Sequence, residues 1–234
     1  MRRWFSQLGR GEPGGGAGRH GDWATAQLER RGITDGAVLD AMRAVPRERF
    51  VPPELTSSAY EDGALPIGHG QTISQPYVVA SMTQSLALAP WSAAHSGAAP
   101  KVLDVGTGSG YQAAVLAEMG ARVISIEREP ALAERARALL EELGYDVTVI
   151  VGDGSAGAPV HAPFAGIVVA AAAPEVPVPL VEQLLPDGRL VIPIGSRFDQ
   201  VITLVRPTED GFTREPIEPA VFVPLVGEHG FGSS

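Results

Sequence analysis

The sequence predicts an α/β fold: a doubly wound, mostly parallel, seven-stranded sheet with an antiparallel edge and an N-terminal helical segment. The first reason is the stretch Lys101 to Glu127, which has the pattern of a buried strand, a glycine-rich turn, a helix and a second strand. The second is that apolar strand-length runs and helical segments continue to alternate after it. The third is Asp210-Gly211, a hairpin dipeptide that predicts antiparallel strands at the end of the chain.

Composition limits the kind of protein. The 234 residues are 44% hydrophobic and 19% charged, include no cysteine and carry a net charge of −9. The absence of cysteine excludes disulfides, zinc-thiolate sites and a thiol nucleophile. The acidic balance argues against a nucleic-acid partner, and the five scattered histidines argue against a metal site. No apolar run approaches the ~20 residues of a membrane span, and no secretory signal is predicted. We therefore expect a soluble, cytoplasmic monomer with no membrane partner.

The chain is expected to hold one domain behind a flexible leader. Residues 1–21 are rich in glycine and arginine and cannot bury much surface. Residues 22–234 form the domain, and its first part, about 22–90, contains helices and an irregular loop. A short helix is predicted at Asp22 to Arg31, and Asp35 is expected to cap a second helix.

The remaining elements follow from apolar periodicity. The segment Ile67 to Ala80 has neither strand nor helix periodicity, and Trp91 to Pro100 looks like a small-residue linker. Strands are predicted at residues 102–105, 122–126, 147–151, 167–171, 189–194 and 200–206, with terminal hairpin strands at 212–214 and 220–224. Helices are predicted at residues 75–88, 111–119, 130–143 and 174–185.

The glycine-rich turn indicates a nucleotide-like ligand. Glycines allow positive φ and close approach of the backbone to a ligand, and the helix after the turn directs its free N–H groups back at it. The acid Glu127 ends the second strand, where it can accept hydrogen bonds from both hydroxyls of a ribose.

The motif itself departs from the dinucleotide fingerprint. Tyr111 stands where G-x-G-x-x-G needs its third glycine, so a hydride-transferring dehydrogenase is disfavoured. The pattern from Asp104 to Gly110 is D-x-G-x-G-x-G, which resembles motif I of class I methyltransferases that use S-adenosylmethionine. On the residues alone, a different α/β nucleotide or sugar binder stays open.

Several stretches together resemble one family, the protein-L-isoaspartate O-methyltransferases. The TISQPY segment is the most specific, because general methyltransferases lack it, and the resemblance covers nearly all of the chain from Trp23 onward. The family usually has Pro-Phe-Asp before the fourth strand, where this chain has Ala165, and we expect that Asp to be structural. The stretches are RAVPRERFVPPEL (43–55), AYEDGALPIGHGQTISQPYVVA (59–80), GTGSGYQAAVLA (106–117), residues 163–195 and FVPLVGEHGF (222–231).

The resemblance implies a Rossmann-like methyltransferase fold and a reaction. The enzyme would move a methyl group from S-adenosylmethionine to the free α-carboxylate of an isoaspartyl residue, and the ester would then re-form a succinimide. The candidate site residues are consistent with this reaction, although they include no strong general base. A carboxylate with a pKa near ~4 is already ionised at pH 7 and needs none. The protein must supply in-line positioning and partial desolvation.

The resemblance also implies site residues. Ser74 matches the active-site serine of TIS, and its hydroxyl would donate to the substrate carboxylate; on sequence alone the same serine could be a helix N-cap. His69 is a weaker candidate for ligand contact, and Ile67, Val78 and Val79 are expected to be core. The residues implied at the donor are Thr72, Ile73, Ser74, Asp104, Gly106, Thr107, Gly108, Ser109, Gly110, Glu127, Asp153 and Gly154.

Several functions other than repair stay open. Relatives that methylate an ordinary aspartate in ribosomally made peptides often carry an additional C-terminal region, whereas this sequence ends soon after Phe231, so repair is the expectation. A donor-binding regulator without catalysis is opposed by the intact TIS segment. A nucleic-acid methyltransferase is opposed by the acidic charge and by the absence of an Asn-Pro-Pro-Tyr-type motif. A small-molecule methyltransferase is the remaining rival.

Overall fold

The computed structural model describes residues 23–232, so the predicted flexible leader at residues 1–21 lies outside the described part. The described residues form seven α-helices and nine strands, with short 3-10 turns between them. The helices are α1 (Trp23–Gln27), α2 (Gly36–Ala44), α3 (Pro76–Ser85), α4 (Leu88–Ala94), α5 (Tyr111–Glu118), α6 (Pro130–Glu142) and α7 (Val178–Glu182). The strands are β1 (Leu65–Gly68), β2 (Gln71–Ile73), β3 (Lys101–Val105), β4 (Arg122–Glu127), β5 (Val147–Val151), β6 (Phe164–Val169), β7 (Leu184–Gly195), β8 (Gln200–Thr208) and β9 (Gly211–Ala220).

Seven of these strands form the main sheet, in the order β5-β4-β3-β6-β7-β8-β9. The pairs from β5 to β7 are parallel, and β8 and β9 pair antiparallel at one edge. The predicted fold class is therefore confirmed. The strand order reverses between β3 and β6, and in doubly wound sheets ligands bind at the carboxyl ends of the strands at such a point.

The sheet has a hydrophobic core on each face because successive strand residues point to opposite sides. On one face, Val102 and Val168 pack with buried residues of α2, α3, α5 and α6. On the other face, Leu103 and Ile167 pack with buried residues of α7. All six residues of β6 are buried, which explains its continuous apolar sequence. Each such aliphatic side chain contributes about 1.5–3 kcal/mol by its burial.

The N-terminal part packs through α2 against α3 and α5, the helices on one face of the sheet. The predicted cap is confirmed: Asp35 accepts hydrogen bonds from the backbone N–H groups of Ala37 and Val38, at 2.9 and 3.4 Å. Met42 and Val45, which share a helical face with Val38, are fully buried. The helix predicted over residues 22–31 is instead a five-residue α1 followed by a 3-10 turn at Glu29–Arg31.

Two predictions in the connecting segments were wrong. The segment from residue 67 up to the predicted helix at 75, expected to be irregular, contains the end of β1 and all of β2, which pair as an antiparallel hairpin. Its turn is sharp because Gly68, His69 and Gly70 all have positive φ (89°, 54° and 70°), and such strands are too short to show alternation in the sequence. The linker predicted at 91–100 begins within α4, which the small alanine-rich residues permit.

In the second half of the sheet, the observed boundaries of the strands and of the helix also differ from the predicted ones. Strand β6 begins at Phe164, three residues before the prediction, and the helix predicted at 174–185 is only the five residues of α7. Strand β7 is twelve residues long because Leu184 pairs with Phe164. The strand predicted at 212–214 lies within β9, which runs on to Ala220. The strand predicted at 220–224 is wrong apart from its first residue, because the chain leaves β9 there and meets the sheet again only at the isolated Ala172–Pro224 bridge.

The buried Ala165 of β6 is apolar and therefore needs no hydrogen-bond partner at a position where the family usually has Asp. Within residues 23–232, no helix is long and apolar enough to cross a membrane.

Candidate active site

A cleft opens at the carboxyl ends of β3 and β4, where the strand order reverses. Its volume is about 890 Å³, including the space open to solvent. Its walls come from the end of the β1–β2 hairpin with the start of α3, the glycine turn after β3, the end of β4, Gly154, residues 170–171, and the segment 222–226 near the end of the described chain. The glycine-rich turn and the TIS segment, both predicted to contact the ligand, thus meet in one cleft.

The glycine turn forms the floor of the cleft. Gly106, Gly108 and Gly110 have φ values of 94°, 53° and 91°, a conformation that side chains other than glycine rarely adopt. Gly154 contributes in another way, because a Cβ there would come within 2.5 Å of Cγ1 of Val105. The glycines of the turn let the backbone approach a ligand closely, whereas Gly154 makes room for the side chain of Val105.

Glu127 ends β4 as predicted and lies in the cleft wall, with only 6% of its surface exposed. Its carboxylate accepts a hydrogen bond from the backbone N–H of Gly108 (2.9 Å) and another from that of Glu129 (3.0 Å). One bond reaches each oxygen, so the carboxylate is fixed in orientation while both oxygens keep acceptor capacity. That arrangement suits a ligand with two neighbouring hydroxyls.

Asp104 lies fully buried near the turn, behind the cleft wall. The hydroxyl of Ser125 donates to Oδ2 of Asp104 (2.7 Å) and lies 2.6 Å from Oγ1 of Thr107, which lines the cleft. Oδ1 of Asp104 has no partner among the described residues. Burial raises the pKa of Asp104 to about 7; the Ser125 hydrogen bond opposes this rise, and the nearby Glu127 adds to it. A buried acid with a spare oxygen favours a cationic group nearby.

Ser74 lies between β2 and α3, partly exposed in the cleft wall beside Thr72 and Ile73. The possibility that it caps the helix is wrong: the N-cap residue is Gln75, whose side chain makes no capping hydrogen bond. Pro76 occupies the start of the helix, which places Ser74 one residue too early to cap it. Within residues 23–232, no protein group hydrogen-bonds to the Ser74 hydroxyl; its carbonyl accepts one from Arg47 (2.7 Å).

The C-terminal segment 222–226 forms a wall to which the sequence analysis gave no role. Gln200 holds it, because its amide accepts from the backbone N–H of Phe222 (2.6 Å) and donates to the carbonyl of Phe222 (3.3 Å). The backbone N–H of Leu225 donates to the carbonyl of Ala172 (2.7 Å). The only sequence signal was that this stretch resembles the family without an identifiable motif.

Asp153 has a structural partner that the sequence did not show. Its carboxylate accepts hydrogen bonds from the N–H and hydroxyl of Ser155 (2.9 and 2.7 Å) and from the N–H of Glu228 (2.8 Å). Burial alone would raise the pKa of Asp153, but these hydrogen bonds hold it below its ordinary value. Asp153 thus ties the end of β5 to the C-terminal segment. Gly154 lines the cleft, and the contact of Asp153 with the methyl donor that the family resemblance implies stays a prediction.

The remaining residues that the sequence indicated lie either in the hydrophobic core or at the surface. Of the three residues expected to be core, Ile67 and Val79 are buried, and Val79 also lines the cleft, whereas Val78 is only partly buried against the core. His69 is about half exposed, with its Nδ1 3.9 Å from Oε1 of Glu129. Residues 23–232 contain no cluster of His, Asp and Glu side chains that could hold a metal ion. Apart from segment 222–226, the cleft is also lined by residues that the sequence did not indicate as site residues: Gln71, Met82, Val105, Tyr111, Gln112, Ile126, Arg128, Ala170 and Ala171.

Comparison with known proteins agrees with this geometry. Residues 23–230 match the family described as protein-L-isoaspartate(D-aspartate) O-methyltransferase (PCMT). The protein-L-isoaspartate O-methyltransferase of Aeropyrum pernix is 56% identical over 212 residues, covering 88% of this chain and 78% of that protein. That of Gloeobacter violaceus is 53% identical over 204 residues, covering 86% and 96%. A solved Plasmodium falciparum structure, described as a protein-L-isoaspartate O-methyltransferase in complex with S-adenosyl-L-homocysteine, aligns with a TM-score of 0.72 at 26% identity, covering 88% and 97%. The chain therefore belongs to the protein-L-isoaspartate(D-aspartate) O-methyltransferase family.

Proposed function

We propose that this enzyme transfers a methyl group from S-adenosylmethionine to the free α-carboxylate of L-isoaspartyl residues in damaged proteins or peptides, which initiates repair through a succinimide. The observation that carries the proposal is the meeting, in one cleft, of a glycine turn with a buried acid behind it and a serine hydroxyl that has no hydrogen-bond partner among the described residues. We also propose that it acts as a monomer in the cytoplasm, in keeping with its net charge of −9.

The cleft residues fit the donor. The two free acceptor positions of Glu127 suit the ribose hydroxyls, and the spare oxygen of buried Asp104 favours a cationic amino-acid end. The glycine turn permits close approach, and Thr72 and Ile73 lie on the opposite wall. When bound, S-adenosylmethionine supplies an electrophilic methyl group on a sulfonium.

The acceptor side needs orientation and exclusion of water more than a base. An isoaspartyl α-carboxylate is already ionised at pH 7. Ser74 lies just before the N-terminal end of α3, where the helix dipole favours negative charge, and its hydroxyl is free to donate to the carboxylate. The apolar segment 222–226 also lines the cleft, and a substrate carboxylate bound against it would be partly desolvated. Held in line, the carboxylate oxygen needs no proton transfer to accept the methyl group.

A methyl-transfer assay with paired peptides tests the proposal. One peptide carries isoaspartate and the other carries aspartate in the same sequence, and we expect transfer to the isoaspartyl peptide only. Equal or greater transfer to the aspartyl peptide would favour tailoring of a ribosomally made peptide. Donor binding without transfer to either peptide would favour a regulator.

Asp104 gives this site a pH dependence of defined sign. Its folded-state pKa of about 7 lies above the ordinary value, so the native state keeps a proton that the unfolded state releases. The contribution of Asp104 to the free energy of unfolding is therefore fully present below about pH 4 and is lost as the pH rises through about 7. Donor binding has the opposite sign, because a cationic ligand favours the ionised acid.

We therefore expect the affinity for S-adenosylmethionine to rise about tenfold from pH 6 to pH 8, as the ionised fraction of Asp104 increases. Calorimetric titration at several pH values measures it, and Asp104→Asn is the matched control, because it keeps the shape but cannot ionise. The same variant should also flatten the dependence of thermal stability on pH between about 4 and 7. An equal rise in affinity in Asp104→Asn would assign the pH dependence to another group.

A further inference from the structure

Arg47 is a buried cation that the mechanism above does not use. It begins a 3-10 turn at Arg47–Phe50 and has no exposed surface. Among the described residues it forms no ion pair with a carboxylate, and its Nη1 has no hydrogen-bond partner. Burial lowers the pKa of its guanidinium, and neighbouring Tyr111 opposes that shift. A buried charge without a counter-charge is costly, so a position that keeps one needs a reason.

The guanidinium connects two walls of the cleft from behind. Its Nη2 donates to the carbonyl of Ser74 (2.7 Å), and its Nε donates to the carbonyl of Ala59 (2.7 Å). Its central carbon lies 4.8 Å from the ring centroid of Tyr111, the first residue of α5 directly after the glycine turn. Ser74 and Tyr111 both line the cleft. The planar guanidinium of Arg47 therefore contacts one residue on the acceptor side of the site and one on the donor side.

We propose that Arg47 is a positioning residue: it fixes the backbone of Ser74 relative to the start of α5 and so sets where the Ser74 hydroxyl meets the acceptor carboxylate. The inference rests on the proposed function, since it gives Ser74 the task of orienting that carboxylate. Ser74 needs such support because its side chain has no hydrogen-bond partner within residues 23–232 and its neighbour Thr72 is exposed. The rigid fork of arginine can hold two carbonyls and stack on a ring at once, which the flexible lysine ammonium cannot reproduce.

A double-mutant cycle tests the proposal. Arg47→Lys keeps the charge and loses the fork, and we expect it to lower kcat for the isoaspartyl peptide about tenfold, because small misplacements of reacting groups are costly. Donor affinity by calorimetry should stay within about threefold of the unaltered enzyme. In a Ser74→Ala background, the same change should lower kcat by less than about threefold, since residues that act through one another are not additive.

A measurement that does not depend on turnover and a control variant complete the test. Amide hydrogen exchange of residues 72–75 should accelerate in Arg47→Lys at a temperature well below its melting point. Arg137→Lys is the matched control: its Nη2 also donates to a backbone carbonyl, that of Val149 (3.0 Å), but away from the cleft, and its kcat should be unchanged. If Arg47→Lys does not fold, Arg47→Gln, which can still donate to one carbonyl, replaces it in the cycle.

The outcomes separate this inference from the proposed function. Losses in kcat that multiply fully in the Ser74→Ala background would overturn the positioning role and leave Arg47 as a fold-stabilising residue. Absence of transfer to the isoaspartyl peptide by the unaltered enzyme would overturn the proposed function instead.

Discussion

Replacing Ser74 with alanine is expected to slow methyl transfer roughly 10- to 150-fold while leaving the folded protein as stable as before. The hydroxyl has no hydrogen-bond partner within residues 23–232, so its removal costs the native state almost nothing. In the reaction it would donate to an ionised carboxylate, and such a hydrogen bond contributes about 1.5–3 kcal/mol, the free energy that corresponds to this loss of rate. Transfer rate and thermal melting should be measured on one preparation.

The chain provides a matched control for this experiment. Asp35 is an observed helix cap, and Asp35→Ala should lower stability by about 1 kcal/mol without changing the turnover of the folded enzyme. Ser74→Thr keeps a hydroxyl and should recover part of the rate. A normal rate in Ser74→Ala, measured with saturating donor and peptide, would remove Ser74 from the catalytic machinery.

Replacing Glu127 with alanine is expected to weaken binding of S-adenosylmethionine by about 1.5–3 kcal/mol, because the ribose loses a charged acceptor. The structure adds a second effect. The same carboxylate accepts from the N–H groups of Gly108 and Glu129, so the change also frees the glycine turn and leaves two donors without partners. Isothermal calorimetry gives the affinity, and thermal melting gives the cost to the native state.

Two further variants separate these effects. Glu127→Gln retains one acceptor oxygen and should bind the donor more tightly than Glu127→Ala but more weakly than the unaltered enzyme. Glu129→Ala changes an acid at the start of α6 and leaves the Glu127 carboxylate in place, so donor affinity should be nearly unchanged. If Glu127→Ala binds the donor normally, the ribose is held by another group in the cleft.

Features encoded by short stretches of sequence could be predicted. The run from Lys101 to Glu127 contains its own strand, turn and helix signals, so β3, α5 and β4 agree with the prediction to within about a residue. The acid at the end of β4 and the positive-φ glycines follow from the same local pattern. The Asp35 cap is equally local, because the acceptor and its donors lie within three residues.

Features that depend on contacts between distant segments could not be predicted. Whether a serine caps a helix is decided by one residue of register, and Pro76 places the N-cap at Gln75 and leaves Ser74 free. The closing wall at residues 222–226 depends on Gln200 and Ala172, which lie more than twenty residues away in the chain.

The sequence by itself therefore determined the fold class, the glycine turn and the acid at its strand end, because each is specified by neighbours along the chain. The tertiary structure alone decided that Asp153 serves as an anchor for the C-terminal segment and that Arg47 lies behind both Ser74 and Tyr111. Those roles arise from hydrogen bonds and stacking between segments that meet only when the sheet has assembled, and no local periodicity records them.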